Sequence, residues 1–266
     1  MASSSLLWQV KAPDQDHVSY IFGTMHLMGP EFYGYLRLLQ PYLQQTTILL
    51  LETPLEEGQG LGMSDLQFSN GLSLDLFFRP NQFEKIRKFI AKKYNIDINK
   101  MLHFKPLALI QMLQQAENSG KGSIFPEMIL HEMASEEGMP VEGLETVEFQ
   151  FDLLTNTAIE EQIRSLKSFV RNPVAQKKHL AKLTRTYKSQ DFPALHKMIR
   201  KQSGGIRKTY LFDRNKSMAT NLVKYLKEGS VFCAVGAGHL WGGKGMLRLV
   251  KQAGFSLDPI HLNASN

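Results

Sequence analysis

A single cysteine, Cys233, in a chain of 266 residues rules out an intrachain disulfide. It sits in the apolar run Val231 to Val235, where it reads as a small buried hydrophobe rather than a nucleophile. A chain this long can bury a large core without covalent staples, so the missing disulfide leaves the compartment open. Long hydrophobic runs are missing too: no window approaches the roughly 18 apolar residues of a membrane-spanning helix. Met1 to Ser5 lack the basic and apolar regions of a signal peptide, and strand-like sequence begins at once at Leu6. The expectation is a water-soluble chain; an extracytoplasmic place, in periplasm or cell envelope, would require that an export signal had been removed ahead of this start.

Tandem repeats and low-complexity tracts are absent, and a hydrophobic content of 43% with 21% charged residues excludes a disordered or fibrous chain. The 31 Lys and Arg exceed the 25 Asp and Glu, for a net charge of +6. Many cations fall in helix-like runs such as Lys85 to Lys88 and Lys177 to Lys182, which read as solvated helix faces. A basic stripe interleaved with aromatics, or a reader motif, is not found, so no nucleic-acid partner is expected.

The pattern along the chain predicts an α/β fold, a central mixed sheet with helices on its faces. Leu6 to Val10 and His17 to Phe22 read as a hairpin, residues 30 to 44 as helix, and Thr46 to Leu51 as a buried strand that stops on Glu52. Residues 60 to about 137 read as a helical insertion or layer within a single domain spanning 1–266, able to cover a crevice at the strand ends. A short strand reaches Gly143 and Glu145, long helices fill much of 147 to 228, and the end forms a strand, glycine loop, helix and last strand.

Two segments repeat one design about two hundred residues apart: Gly23-Thr-Met-His26-Leu and Gly236-Ala-Gly238-His239-Leu, each after a strand. A glycine at a strand end admits a sharp turn, so both imidazoles can be aimed into a shared crevice at the sheet edge. Two neutral imidazoles with a carboxylate can hold a divalent transition metal with positions left open. Glu52 and Glu145, each ending a strand, are the acidic candidates. A single Gly-x-x-His is a weak signal, since a histidine after a glycine is more often a loop or core residue; the matched pair is what raises it. Tyr20 and Phe22 read as core, whereas Trp241, directly after His239-Leu240, is a candidate for the rim of a substrate crevice.

Tyr20 to His26, Gly143-Leu-Glu-Thr146, Arg214-Asn215 and Val235 to Leu240, in that order and with a close match continuing to Gly254-Phe255, resemble the TraB/GumN family, which includes the Tiki metalloproteases. The resemblance implies an α/β fold related to the erythromycin-esterase and ChaN-like group, and a metal-dependent hydrolytic centre acting on a peptide or protein substrate. It makes His26 and His239 metal ligands with Glu52, and gives Glu52, Glu145, Arg214 and Asn215 catalytic roles. A bound Mn²⁺, Co²⁺ or Zn²⁺ would activate water, one glutamate would take its proton, and Arg214 would steady the oxyanion. Which glutamate is ligand and which is base stays open, and no His-Glu-x-x-His is present. Each residue also has a plain structural reading: helix pairing for Arg214 and Asn215, capping for Glu145, strand-edge hydrogen bonds for the histidines. Two rival functions remain beside the peptidase: a non-catalytic haem- or peptide-binding protein of ChaN or TraB type, and a metal-independent, esterase-like hydrolase with histidine as general base.

Overall fold

The computed structural model describes residues 5–25, 29, 32–54, 64–69, 71–118, 124–171, 173–202 and 208–262. Its contacts group the chain into two compact units, one comprising Met1–Glu57, Ser123–Val147 and Lys182–Asn266, the other Gly58–Gly122 and Glu148–Ala181.

The first unit is built on a six-stranded mixed sheet in the order β4-β3-β5-β2-β1-β6. Its strands are β1 (Leu7–Lys11), β2 (Ser19–Thr24), β3 (Ile48–Leu51), β4 (Val141–Gly143), β5 (Val231–Gly236) and β6 (Ser256–Ile260). β1 and β2 form the expected antiparallel hairpin, and β6 adds antiparallel to β1. The inner strands β2, β5, β3 and β4 pair in parallel. These inner strands are nearly all apolar because both their faces are covered. Alternate residues point opposite ways: Tyr20, Phe22, Leu49, Leu51, Phe232 and Ala234 belong to one core, Ile21, Leu50, Val231, Cys233 and Val235 to the other.

On the first face pack α1 (Tyr33–Arg37), α2 (Gln40–Leu43), α5 (Pro126–Glu136), the end of α8 (Pro173–Lys188) and α9 (Phe192–Gln202), through Leu36, Leu43, Leu130, Met133, Tyr187 and Leu195. α10 (Arg214–Glu228) and α12 (Met246–Gln252) cover the second, through Met218, Leu222, Leu226, Met246 and Val250. Each such side chain taken fully from water contributes about 1.5–3 kcal/mol before entropy is charged against it. Where one helix was expected over 30 to 44 there are two short ones, because Pro41 at the start of α2 has no N–H to continue the helical ladder.

The second unit is helical. α3 (Pro80–Tyr94), α4 (Pro106–Asn118) and α7 (Ile159–Arg171), with α6 (Val147–Asn156) leading into the last, surround a separate core of Ile86, Ile90, Leu109, Leu113 and Leu166. Buried Gln162 is satisfied within it, donating to the Thr157 carbonyl at 2.7 Å and accepting from the Leu107 amide at 3.4 Å. The helical layer expected from 60 to 137 is therefore divided: its first part packs with residues 148–181, while α5 lies on the sheet.

Gly23, in β2, is held to glycine by crowding rather than by an unusual dihedral. A Cβ there would lie 2.7 Å from Leu240 Cδ1 and 3.2 Å from the Ala237 backbone. The prediction is that Gly23→Ala lowers stability in urea titrations by about 1–3 kcal/mol. Gly34→Ala, on an open helix face, is neutral or stabilising by up to about 1 kcal/mol; equal effects for both would show that the close approach at Gly23 is unimportant.

Candidate active site

The parallel strands β2, β3, β4 and β5 all end on one edge of the sheet, at Thr24, Leu51, Gly143 and Gly236. In α/β sheets ligands bind in the crevice at this carboxyl edge. The backbones of β3 and β4 stay paired one step beyond the strands, with the Leu144 amide donating to the Leu51 carbonyl at 2.9 Å and the Glu145 amide to the Glu52 carbonyl at 2.8 Å. That continuation is what brings two carboxylates side by side.

Arg214, the first residue of α10, bridges them. Its Nη2 donates to Glu52 Oε2 at 2.6 Å and to Glu145 Oε2 at 2.7 Å, and its Nε to Glu145 Oε2 at 2.9 Å. All three side chains are buried, Glu145 almost completely. Burial works against the guanidinium charge, but Glu52 and Glu145 outweigh it and raise the Arg214 pKa above the ordinary arginine value. The helix is fastened to the same edge two turns on, where Asn221 Nδ2 donates to the Leu144 carbonyl at 2.9 Å. Glu52 Oε1 turns the other way and accepts from the Gly236 amide at 2.7 Å.

His239 lies in α11 (Ala237–Leu240), a short helix where a turn was expected. The ring is buried, with Nδ1 2.6 Å from Asn215 Oδ1. Asn215 Nδ2 in turn donates to the Lys244 carbonyl at 2.7 Å, which fixes which way the amide faces. The network therefore assigns the imidazole proton to Nδ1 and leaves the lone pair on Nε2. Nε2 is 3.7 Å from Glu52 Oε1. Gly236 admits this packing: a Cβ would stand 3.0 Å from Glu52 Oε1, and one on Gly238 would meet Ile199 at 3.1 Å.

Five of the expected residues, Glu52, Glu145, Arg214, Asn215 and His239, thus form one connected group. His26 lies outside the described residues. Arg214 has its Nε and Nη2 committed to carboxylates, so the geometry makes it a clamp on Glu52 and Glu145. Trp241, expected at a rim, is partly buried between the two cores, stacked on Phe192 at 6.2 Å and edge-on to Trp8 at 6.1 Å. The Cys233 thiol is pushed well up by burial, with Glu52 adding to the shift, and stays protonated.

For a divalent metal the described side chains provide two donors of suitable chemistry: His239 Nε2, with its tautomer fixed from behind, and the Glu52 carboxylate. Among the described residues no group of three or more His, Cys, Asp and Glu could hold a metal ion.

Pattern reading missed the partners that fasten the edge. Tyr187 Oη, fully buried, donates to the Gly23 carbonyl at 2.6 Å, and Thr24 Oγ1 to Glu127 Oε1 at 2.7 Å. These partners are 164 and 103 residues away along the chain, so no local motif announces them.

The family model described as TraB/PrgY/gumN matches residues 6–259. No curated protein and no solved structure matches the chain.

Arg214→Met is predicted to destabilise the protein by about 3–5 kcal/mol, since it leaves two buried carboxylates without their cation. Protonation then relieves the variant, so its deficit against the parent narrows as pH is lowered from about 8 to about 5. Denaturant titrations across that range check it. A deficit independent of pH would mean that lost packing, not stranded charge, is the cause.

Proposed function

The chain belongs to the TraB/PrgY/gumN family, and from that premise we propose that it is a metal-dependent hydrolase acting on peptide bonds, with His239, Glu52 and His26 as metal ligands. The observation that carries the reading is the buried His239, its Nδ1–H held by Asn215 and its Nε2 aimed to within 3.7 Å of a carboxylate at the carboxyl edge of the parallel strands. Bound there, a divalent ion would supply Lewis acidity and a water of lowered pKa.

The chain's own residues have separable tasks in this reading. Asn215 keeps the imidazole in one tautomer and one orientation, which supports ligation through Nε2. Arg214 holds the Glu52 carboxylate from one side and the Gly236 amide holds it from the other, so Glu52 presents itself without searching rotamers. Glu145 fixes Arg214 and is a positioning residue. The low exposure of all five side chains keeps bulk water away and strengthens every charge interaction among them.

A second reading is a metal-independent hydrolase with His239 Nε2 as general base. It is favoured by the Asn215–His239 pair, which fixes the proton on Nδ1 and leaves Nε2 as the basic nitrogen.

Elemental analysis with a peptide-library assay by mass spectrometry separates the two. The metal reading expects stoichiometric metal in the parent, turnover abolished by a chelator, and loss of both metal and turnover in His239→Ala and His26→Ala. Asn215→Ala should retain the fold and lower metal affinity or turnover by about 10–100-fold. Full metal content in folded His239→Ala would sink the metal reading; turnover indifferent to chelator but lost in His239→Ala would establish the second.

A further inference from the structure

The charge of this chain is unevenly placed. Between Arg164 and Lys208 there are 13 Lys and Arg and one acid, Asp191, a net +12 against the +6 of the whole chain. The remainder is therefore net negative, and solvation of helix faces does not by itself account for such a separation.

Within the sheet-bearing unit six of these cations, Lys182, Arg185, Lys188, Lys197, Arg200 and Lys201, lie on two helices that pack together, with Thr186 Oγ1 of α8 3.8 Å from Met198 Sδ of α9. Their outer faces expose Lys182 and Arg185 on α8 and Lys197, Arg200 and Lys201 on α9. Spacings of three and four residues align each set along one helix face. The one acid of the stretch is engaged in capping: Asp191 Oδ1 accepts from the Ala194 amide at 3.1 Å. None of these five cations is ion-paired among the described residues.

The patch also borders the candidate site. Ile199, next to Arg200, packs on Gly238, the residue before His239, and His196, one turn before Arg200, packs against Gly242. Arg200 acts electrostatically on the half-buried His196 ring, whose pKa is lowered mainly by burial and further by that charge. Lys244 extends the positive rim: its carbonyl accepts from Asn215 and its Nζ lies 4.8 Å from the centre of the Phe212 ring.

We propose that the exposed cations of α8 and α9, with Lys244, form a docking face for acidic polypeptide, which makes Glu- and Asp-rich segments the substrate class of the adjacent site. This rests on the hydrolase reading for turnover but not for binding. Charge complementarity supplies the attraction. Nucleic acid fits less well, because the aromatic residues between Lys182 and Lys201, Tyr187 and Phe192, are buried and offer no stacking platform. A lipid surface fits less well too, because Leu180 is the one large exposed hydrophobic among the described residues of α8 and α9.

The test uses the full chain and fluorescein-labelled Glu-Ala, Gln-Ala and Lys-Ala peptides read by anisotropy, with phosphatidylserine vesicles and single-stranded DNA as competing probes. The Glu-Ala peptide should bind best and weaken about tenfold or more between roughly 50 and 300 mM salt. Combined Lys197→Glu, Arg200→Glu and Lys201→Glu should reduce its affinity about tenfold or more. Reversing Lys88, Lys92 and Lys93 on α3 should leave it unchanged, and the single neutral change Arg200→Gln should weaken it in the same direction if the triple variant does not fold. Unchanged affinity in the folded α9 variants, or binding of vesicles or DNA in place of Glu-Ala, overturns the proposal. Acidic peptide bound through α9 but never cleaved overturns the hydrolase reading alone. Cleavage of Gln-Ala and Glu-Ala at equal kcat/KM overturns the acidic preference alone.

Discussion

Two carboxylates buried side by side at a strand edge cannot both stay ionised without a cation between them, and Arg214 meets that requirement. Its reach sets where α10 begins, because Nε and Nη2 contact both glutamates only if the helix starts against the ends of β3 and β4. Asn215 follows as the next residue of the same first turn, and so falls against His239. Asn221, two turns from Arg214, ties the helix to the same edge through the Leu144 carbonyl. The Arg-Asn dipeptide thus does two jobs one residue apart, ion pairing and tautomer selection, and moving the helix by a residue would lose both. A buried ion triad of this kind contributes little net stability over a well-packed apolar alternative. Its value here is geometric.

The strand-end glycines obey a related constraint. Gly23 and Gly236 were expected to permit a sharp turn, yet among the described residues the glycines with positive φ are Gly71, Gly138, Gly242 and Gly254. What Gly23 and Gly236 permit is approach: α11 against β2 in one case, the Glu52 carboxylate against the backbone of β5 in the other. β2 and β5 are neighbours, with Gly23 opposite Val235 and Thr24 opposite Gly236. The two matched segments therefore leave the sheet from adjacent strands although they come from opposite ends of the chain.

Most of the sheet was legible because its signal is local. Apolar runs with abrupt polar ends mark β3 and β5, and the polar interruption after Val10 marks the β1–β2 hairpin. Glu52 and Glu145 were legible as strand-end carboxylates for the same reason. The tasks of the polar residues were not, since each depends on a partner far away: Arg214 could be placed by motif, but its commitment to two carboxylates follows from the pairing of β3 with β4. Trp241 shows the limit from the other side. Its position after His239 suggested the rim of a crevice, and what the sequence did not show is that Phe192 and Trp8, distant along the chain, make it a link between the two faces of the core.

The hydrogen-bond order at His239 also bears on what chemistry the edge can support. If Asn215 were free to rotate its amide, either nitrogen of the imidazole could carry the proton, and the ring would present an N–H or a lone pair to Glu52 according to circumstance. The Lys244 carbonyl removes that freedom by accepting from Nδ2, which turns Oδ1 to the ring and makes Nδ1 the donor. With the proton held there, Nε2 faces Glu52 Oε1 at 3.7 Å, an arrangement that either proposed role, base or ligand, would use. Glu52 is itself held in place, since Oε1 receives the Gly236 amide and Oε2 the Arg214 guanidinium. Both oxygens are thereby anchored, and the carboxylate keeps the orientation in which Nε2 meets it.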